Sequence, residues 1–236
     1  MILVIFSYVK SAIVFSFMTL AVAAGIAATC LYTQATVDFV LRIAGLCVLF
    51  IASYAASCAY AVKLVDSQCE RMGNNECKIE ELSVRLRKLA KRAYFGSVRG
   101  MISVQYAYAL LCLGKYREAE IAASDAIVAA GDGAKADASI LFCKAYYMLG
   151  DEKYFEINYP KAINALEKYC ESKNKSVSDS ACASRAAIEA MRLSLSGDND
   201  AALDRLNGFC AENMPPLLQR NIIELKKHMQ SKKDAA

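Results

Sequence analysis

Thiols and one imidazole are the side chains of this sequence that could bind a metal ion or attack a substrate. The 236 residues include ten cysteines but a single histidine, His228. The cysteines form no CxxC pair, and the nearest two, Cys69 and Cys77, lack the spacing of a zinc finger. We therefore expect no metal site. Cysteines at scattered, apolar helical positions are typical of reduced, packed thiols in a reducing compartment.

A catalytic apparatus is not expected either. Enzymatic catalysis needs a nucleophile beside a base, a metal cluster or a phosphate-binding loop. The sequence contains neither GxxxxGK[ST] nor GxGxxG, and His228 lies in a charged segment close to the end of the chain. We therefore predict a protein that is not an enzyme and needs no cofactor.

The composition favours helices almost throughout the chain. Apolar residues make up 56% of the sequence, and only 3 prolines and 11 glycines interrupt it. Because alanine, leucine, glutamate and lysine dominate the rest, the predicted fold class is all-α. The formal net charge of +4 is too small to indicate a nucleic-acid-binding protein.

Two long uncharged stretches open the sequence. Residues 11–32 carry no charged side chain, and residues 43–62 form a second stretch of 20 uncharged residues. Each is long enough to cross about 30 Å of hydrocarbon as a helix. We therefore predict a transmembrane helical hairpin over residues 1–66. A cleaved signal peptide is the alternative interpretation of the first stretch.

The distribution of positive charge indicates how this hairpin is oriented. The hairpin loop, about residues 33–38, has no lysine or arginine, and Arg42 and Lys63 flank the second stretch. Beyond Lys63 come eight more: Arg71, Lys78, Arg85, Arg87, Lys88, Lys91, Arg92 and Arg99. Lysine and arginine near membrane ends stay on the cytoplasmic side, so both termini are expected there. Small residues at four-residue intervals within the hairpin would also allow homo-oligomerisation.

A basic amphipathic segment follows, and residues 67–97 are assigned to a juxtamembrane linker helix. Apolar residues recur every three or four positions over residues 76–94, and the opposite face is basic. Two interpretations stay open. In one, the helix lies on the membrane and four cations bind anionic headgroups: Arg85, Lys88, Lys91 and Arg92. In the other, the apolar stripe packs on the next helices and the basic face is solvated.

The stretch LCLGKYREAE, residues 111–120, contains a turn pattern. A small residue, a glycine, an aromatic residue and two further small residues follow at fixed offsets: Ala107, Gly114, Tyr116, Ala119 and Ala126. Small facing residues let two helices approach closely, and glycine supports the end of the first helix. The pattern resembles a tetratricopeptide repeat. The resemblance implies a short α-solenoid of about three repeats and a capping helix over residues 98–232.

The second repeat is predicted to be irregular. Gly150 stands at the turn, but the aromatic and small pair that follows it, Tyr159 and Ala162, comes late. The delay predicts a seven-residue insertion within residues 151–158, before the partner helix begins.

The third repeat and the end of the chain are weaker matches. Gly197 and Ala202 keep the turn and small positions, after a predicted exposed loop over residues 171–180. A charged helix over residues 217–229 is expected to cap the open end of the solenoid. A generic array of helical hairpins is the alternative to the tetratricopeptide fold.

The resemblance also implies a concave groove lined by the first helix of each pair. The matching positions are Met101, Val104, Tyr108, Leu111, Ile140, Lys144, Tyr147, Met148 and Met191. An apolar surface with one lysine favours an amphipathic helix, or another peptide, as the bound partner. The alternative is that these side chains are core, covered by residues 76–94 or by neighbouring repeats.

These features predict a membrane-anchored scaffold. The leading hypothesis is a non-enzymatic adaptor whose cytoplasmic repeats bind a protein partner at a membrane. The alternative hypothesis is a function within the bilayer, in which the hairpin oligomerises, assists a transporter or shapes the membrane and the repeats are regulatory.

Overall fold

The protein is helical wherever its structure is described. The computed structural model describes residues 21, 24–25, 36–73, 78–93, 96–208 and 214–234. Within these ranges the chain forms helices and short turns without strands, which confirms the all-α fold class. The helices are α1 (Thr36–Gly73), α2 (Ile79–Arg92), α3 (Gly96–Cys112), α4 (Tyr116–Ala130), α5 (Asp132–Leu149), α6 (Glu152–Cys170), α7 (Lys175–Leu195), α8 (Asn199–Asn207) and α9 (Pro216–Asp234).

The chain divides into two compact units, Met1–Leu64 and Val65–Ala236. The predicted first span, residues 11–32, lies outside the described residues except for positions 21 and 24–25, and the predicted second span falls within α1. No helix in the described part of the chain is long and apolar enough to cross a membrane. In the first unit, large apolar side chains of α1 are exposed, among them Val48 at 65% and Ile51 at 64%.

Helix α2 opens the second unit's helical array. Its bounds fall inside the predicted 76–94 helix, and residues 74–77 and 94–95 lie outside the described residues. Ile79, Leu82 and Leu86 are buried, and α2 packs on α3. The apolar stripe read from the sequence is therefore used in packing within the array.

Three helical hairpins follow, formed by α3 with α4, α5 with α6, and α7 with α8. Each turn contains a glycine with positive φ: 70° at Gly114, 70° at Gly150 and 91° at Gly197. In each turn the residue after the glycine donates its N–H to the carbonyl five residues back, over 3.0, 2.9 and 3.0 Å respectively. This is the Schellman ending of a helix, and it requires a residue that tolerates the left-handed conformation.

The predicted insertion in the second hairpin is wrong. Helix α6 begins at Glu152, directly after the turn, because the Asp151 side chain caps it by accepting the N–H of Tyr154 over 3.3 Å. Phe155 consequently stands five residues after its glycine, at the offset that Ala119 and Ala202 occupy in the other hairpins, and all three are buried. The late aromatic and small pair lies further along the same helix.

The predicted loop over residues 171–180 is also shorter than expected. Helix α7 begins at Lys175, where the Asn174 side chain accepts the N–H of Ser176 over 3.1 Å. Asparagine is a strong N-cap residue, so it starts the helix inside a polar stretch that composition alone marks as loop. Only residues 171–174 connect α6 to α7.

Close packing of α3 on α4 gives a first testable prediction. A Cβ added to the buried Gly100 would overlap the Ala130 side chain and lie 3.1 Å from the carbonyl oxygen of Ala126. We expect Gly100→Ala to lower the free energy of unfolding by about 1–3 kcal/mol, because backbone must move to admit the methyl group. Urea unfolding of the full chain, followed by circular dichroism, measures the change.

Gly208→Ala is the matched control for this prediction. Gly208 has φ of −68°, and among the described residues the nearest atom to an added Cβ is 4.0 Å away. Alanine fits there, so its effect should stay within about 1 kcal/mol and favour stability. Equal destabilisation by both variants would contradict the packing argument.

Candidate functional site

Helix α9 covers the surface that the sequence analysis assigned to a groove. Its buried side chains recur every three or four residues and form one apolar face: Leu217, Leu218, Ile222, Leu225 and Met229. The helix packs on α8, as a cap would, and also on α3 and α7, the first helices of two hairpins. The predicted capping helix therefore extends over the inner side of the array. We call the side of α3, α5 and α7 beneath it the inner face.

Three predicted groove residues lie directly beneath α9. Ile140, Tyr147 and Met191 are buried in one cluster with the apolar face of α9. The Tyr147 ring meets the edge of His228 with 5.6 Å between ring centroids, and the Lys232 ammonium lies 4.6 Å from the Tyr147 centroid. Contact with an amphipathic helix is thus made at these positions, and the chain itself supplies that helix.

Tyr147 is also tied to the array by its hydroxyl group. The Tyr147 hydroxyl donates to Ser194 Oγ over 2.8 Å, and the Ser194 hydroxyl in turn donates to Asn199 Oδ1 over 2.7 Å. Burial raises the pKa of Tyr147, and the same cause lowers the pKa of His228, with Lys232 adding to the effect. The imidazole that meets the ring is therefore kept neutral more readily than an exposed one.

Two other predicted groove residues pack in the hairpin core, and one of them, Leu111, also lines a cavity beneath α9. Val104 and Leu111 are buried with Ala107, Ala119 and Ala123, in the cluster between α3, α4 and α5. The resemblance to a tetratricopeptide repeat implied a position on the concave side for both. The small alanines of α4 let the two helices approach closely, so these α3 side chains are buried between them.

Asn221 links α9 to α3 through hydrogen bonds that the sequence analysis did not identify. Its side-chain amide donates to Leu217 O over 2.7 Å within α9, to Cys112 Sγ over 3.2 Å and to Tyr108 O over 3.4 Å. A polar residue beside the buried apolar face of a charged helix is the signal that could have indicated this contact. It sets the register of α9 on α3 by hydrogen bonding across the two helices.

Lys144 is the ionisable group buried at the centre of this arrangement. Only 4% of the residue is exposed, and its Nζ makes no hydrogen bond with the described residues. The Tyr108 ring lies on one side, with its centroid 5.1 Å from Nζ. Burial lowers the pKa of Lys144 to about 8, because the charged form loses its hydration.

The remaining predicted groove residues, Met101, Tyr108 and Met148, are half-buried. Tyr108 and Met148 approach Lys144 from α3 and α5, and Met148 lines a cavity beside it. The structure therefore brings Tyr108, Lys144, Tyr147, Met148 and Met191 to the inner face around α9. Cys112 and Glu224, which the sequence analysis did not select, line the same cavity.

The predicted lipid-binding cations lie on the far side of α2 from its buried stripe. Lys88, Lys91 and Arg92 are exposed, whereas Arg85 is ion-paired with Glu81 of the same helix. An amphipathic helix lies in a membrane by inserting its apolar face, and that face of α2 is already buried against α3. Any contact of these side chains with a membrane would therefore be electrostatic.

Comparisons with known proteins do not indicate a function, so the functional argument rests on the geometry of the inner face and α9. No protein-family model, curated protein or solved structure matches the chain. Within the described residues, no group of three or more histidine, cysteine or acidic side chains could hold a metal ion.

Proposed function

We propose that the protein is a membrane-anchored scaffold of tetratricopeptide type, whose helical array binds an amphipathic helix of a protein partner. The observation that carries the proposal is the position of α9, which fills the predicted groove with an apolar helical face. The inner face has the shape and chemistry that accept such a helix, so α9 serves as an internal model of the partner.

The contacts between α9 and the inner face are of a kind that would let a partner helix replace α9. Besides the Asn221 hydrogen bonds to α3, α9 forms an ion pair between Lys233 and Asp200, at 2.5 Å, and both of these side chains are largely exposed. Exposed ion pairs contribute little to stability. Burial of the apolar face therefore supplies most of the attraction, and a partner helix with the same spacing of apolar residues can compete for it.

Membrane anchoring is the part of the proposal that rests on the sequence. Residues 43–62 carry no charge, and within α1 the large apolar side chains of Val48 and Ile51 are exposed. The basic residues that follow favour a cytoplasmic location for the helical array. In this proposal the exposed Lys88 and Lys91 of α2 face anionic headgroups, which attract such cations electrostatically.

A peptide supplied in trans tests the binding function. Deleting residues 214–236 removes α9, and a synthetic peptide of residues 216–234 is then titrated into the shortened chain. We expect saturable binding with a dissociation constant that is roughly micromolar, because the freed inner face regains its apolar contacts. The full chain, whose inner face is filled, should bind the same peptide far more weakly. Calorimetry measures both, and circular dichroism verifies that the shortened chain stays helical.

Two peptide variants sharpen this test. Leu225→Ala removes a buried side chain and should weaken binding at least about tenfold, whereas Ile223→Ala alters an exposed position and should change it little. If the shortened chain folds but does not bind the peptide, the proposal is contradicted. Unfolding of that chain would also contradict it, since α9 would then be an indispensable part of the core.

The alternative is an oligomeric or transporter-accessory function of the hairpin within the bilayer. The exposed Val48, Ile51 and Tyr54 on α1 favour it, because such side chains would be available for contacts between copies or with lipid. Deleting residues 1–66 together with α9 discriminates between the two. A soluble fragment that still binds the peptide supports the scaffold, and loss of binding supports the alternative.

A further inference from the structure

A cavity of about 130 Å³ lies beside Lys144, between the inner face and α9. Its lining is Leu111, Cys112, Gly114, Tyr116, Lys144, Met148, Met191, Asn221, Glu224 and Leu225. These residues come from α3 and the turn that follows it, from α4, α5 and α7, and from α9. The cavity therefore exists because α9 packs on the array.

Among the lining residues, Lys144 is the one whose buried side-chain nitrogen has no hydrogen-bond partner in the described part of the chain. An ammonium has three N–H donors, and the Tyr108 ring face attracts the charge without accepting a conventional hydrogen bond from each of them. A buried charged donor without an acceptor is costly, and such groups in native proteins are usually satisfied by a ligand, an ion or a water molecule.

The chemistry of the walls indicates which acceptor would fit. Leu111, Met148, Met191 and Leu225 supply apolar surface around the single cationic donor. A carboxylate matches the donor, because hydrogen bonds between two charged groups are the stronger ones. An apolar body matches the rest of the lining. In size, the cavity approaches the engineered cavity of about 150 Å³ that holds benzene.

We propose that this cavity binds a small monocarboxylate with an apolar body, whose carboxylate accepts hydrogen bonds from Lys144 Nζ. The Glu224 carboxylate lines the same cavity and is paired with Lys227 at 3.3 Å. Its negative charge opposes any anion in the cavity, so the ligand carboxylate would lie at Lys144 and away from Glu224, and a ligand with two negative charges would bind more weakly than a monocarboxylate. The ligand would touch α5 and α9 together. This site goes beyond the proposed scaffold function and does not need a protein partner.

Benzoate is the probe that tests the proposal, because its ring and single carboxylate match the cavity. The full chain in a neutral detergent is titrated with benzoate by calorimetry, and with benzamide as the uncharged analogue. We expect saturable binding of benzoate, with at least tenfold weaker binding of benzamide, because only the carboxylate pairs with the ammonium. Benzoate should also raise the thermal unfolding midpoint of the protein.

Three variants complete the experiment. Lys144→Met and Lys144→Gln should each weaken benzoate binding at least tenfold, and either variant suffices if the other fails to fold. Lys135→Met, at an exposed position on the same helix, should leave binding unchanged. The proposal is overturned if wild-type protein shows no saturable binding, if benzamide binds as tightly as benzoate, or if a folded Lys144 variant binds benzoate like wild type.

Discussion

Replacing Phe155 by alanine is expected to lower the free energy of unfolding by about 3–5 kcal/mol, the usual cost of removing a fully buried aromatic side chain. Phe155 is completely buried in the cluster that joins α5, α6, α7 and α9. Its ring also lies 5.9 Å from that of Tyr159, centroid to centroid. Urea unfolding of the full chain, monitored by circular dichroism, measures the loss.

The control for Phe155→Ala is Ile157→Ala on the same helix. Ile157 is 47% exposed, so its truncation removes much less buried surface and should cost under about 1 kcal/mol. Together, the Phe155→Ala and Ile157→Ala variants test where α6 begins. If residues 151–158 were an insertion outside the hairpin, Phe155→Ala would be as mild as Ile157→Ala, and the structural alignment of Phe155 with Ala119 and Ala202 would be wrong.

Replacing Lys144 by methionine is expected to have the opposite effect and to stabilise the protein by about 3 kcal/mol at pH 7. The pKa of Lys144 falls from 10.5 to about 8 on folding, and each unit corresponds to about 1.4 kcal/mol. Methionine keeps a flexible chain of similar length and has no charge to desolvate. Removing a buried charge that has no hydrogen-bond partner among the described residues therefore removes its cost.

The pH dependence of this gain has a definite sign. Below pH 8 Lys144 is protonated in both states, and the folded state bears the whole cost of the buried charge. Between pH 8 and 10.5 the unfolded state holds more protons, so the stability of the wild type rises relative to Lys144→Met. The advantage of the variant should therefore shrink by about 1.4 kcal/mol per pH unit across this window.

Other ionisable groups lie around Lys144, and the wild type and the Lys144→Met variant both contain them. They are Tyr108 and Cys112 from α3, Cys143 from α5, and Glu224 from α9. Arg220 of α9 acts on Cys112. Burial raises the pKa of Cys112 and of Cys143 to about 12, so both proteins lose stability above pH 9 as these thiols ionise on unfolding. Only the difference between the two unfolding curves reports on Lys144. A difference that does not vary with pH would contradict the buried charge.

The helical class and the turns could be predicted because their causes are local. Gly114, Gly150 and Gly197 each follow a helical stretch and each adopts positive φ, the conformation that glycine tolerates best. The start of α6 is equally local in origin, since the Asp151 side chain caps it. The spacing of Tyr159 and Ala162, however, predicts a later start for this helix.

The candidate site could be predicted only in part. The first helices of the hairpins do supply Tyr108, Lys144, Tyr147 and Met191 to the inner face. Periodicity identifies which residues share a helix face, but it does not show whether that face is open or covered. Val104 illustrates the limit, since it has the helical spacing of a groove residue but packs within the hairpin core.

By itself, the sequence determined an all-α chain with glycine turns at three places and a charged last helix. Each of these depends on residues within a few positions of one another. Only the tertiary structure decided what the last helix covers, because contacts such as Asn221 with Cys112 join residues 109 positions apart. The same packing buries Lys144 and leaves its amine beside a cavity, since burial depends on partners that no local pattern specifies.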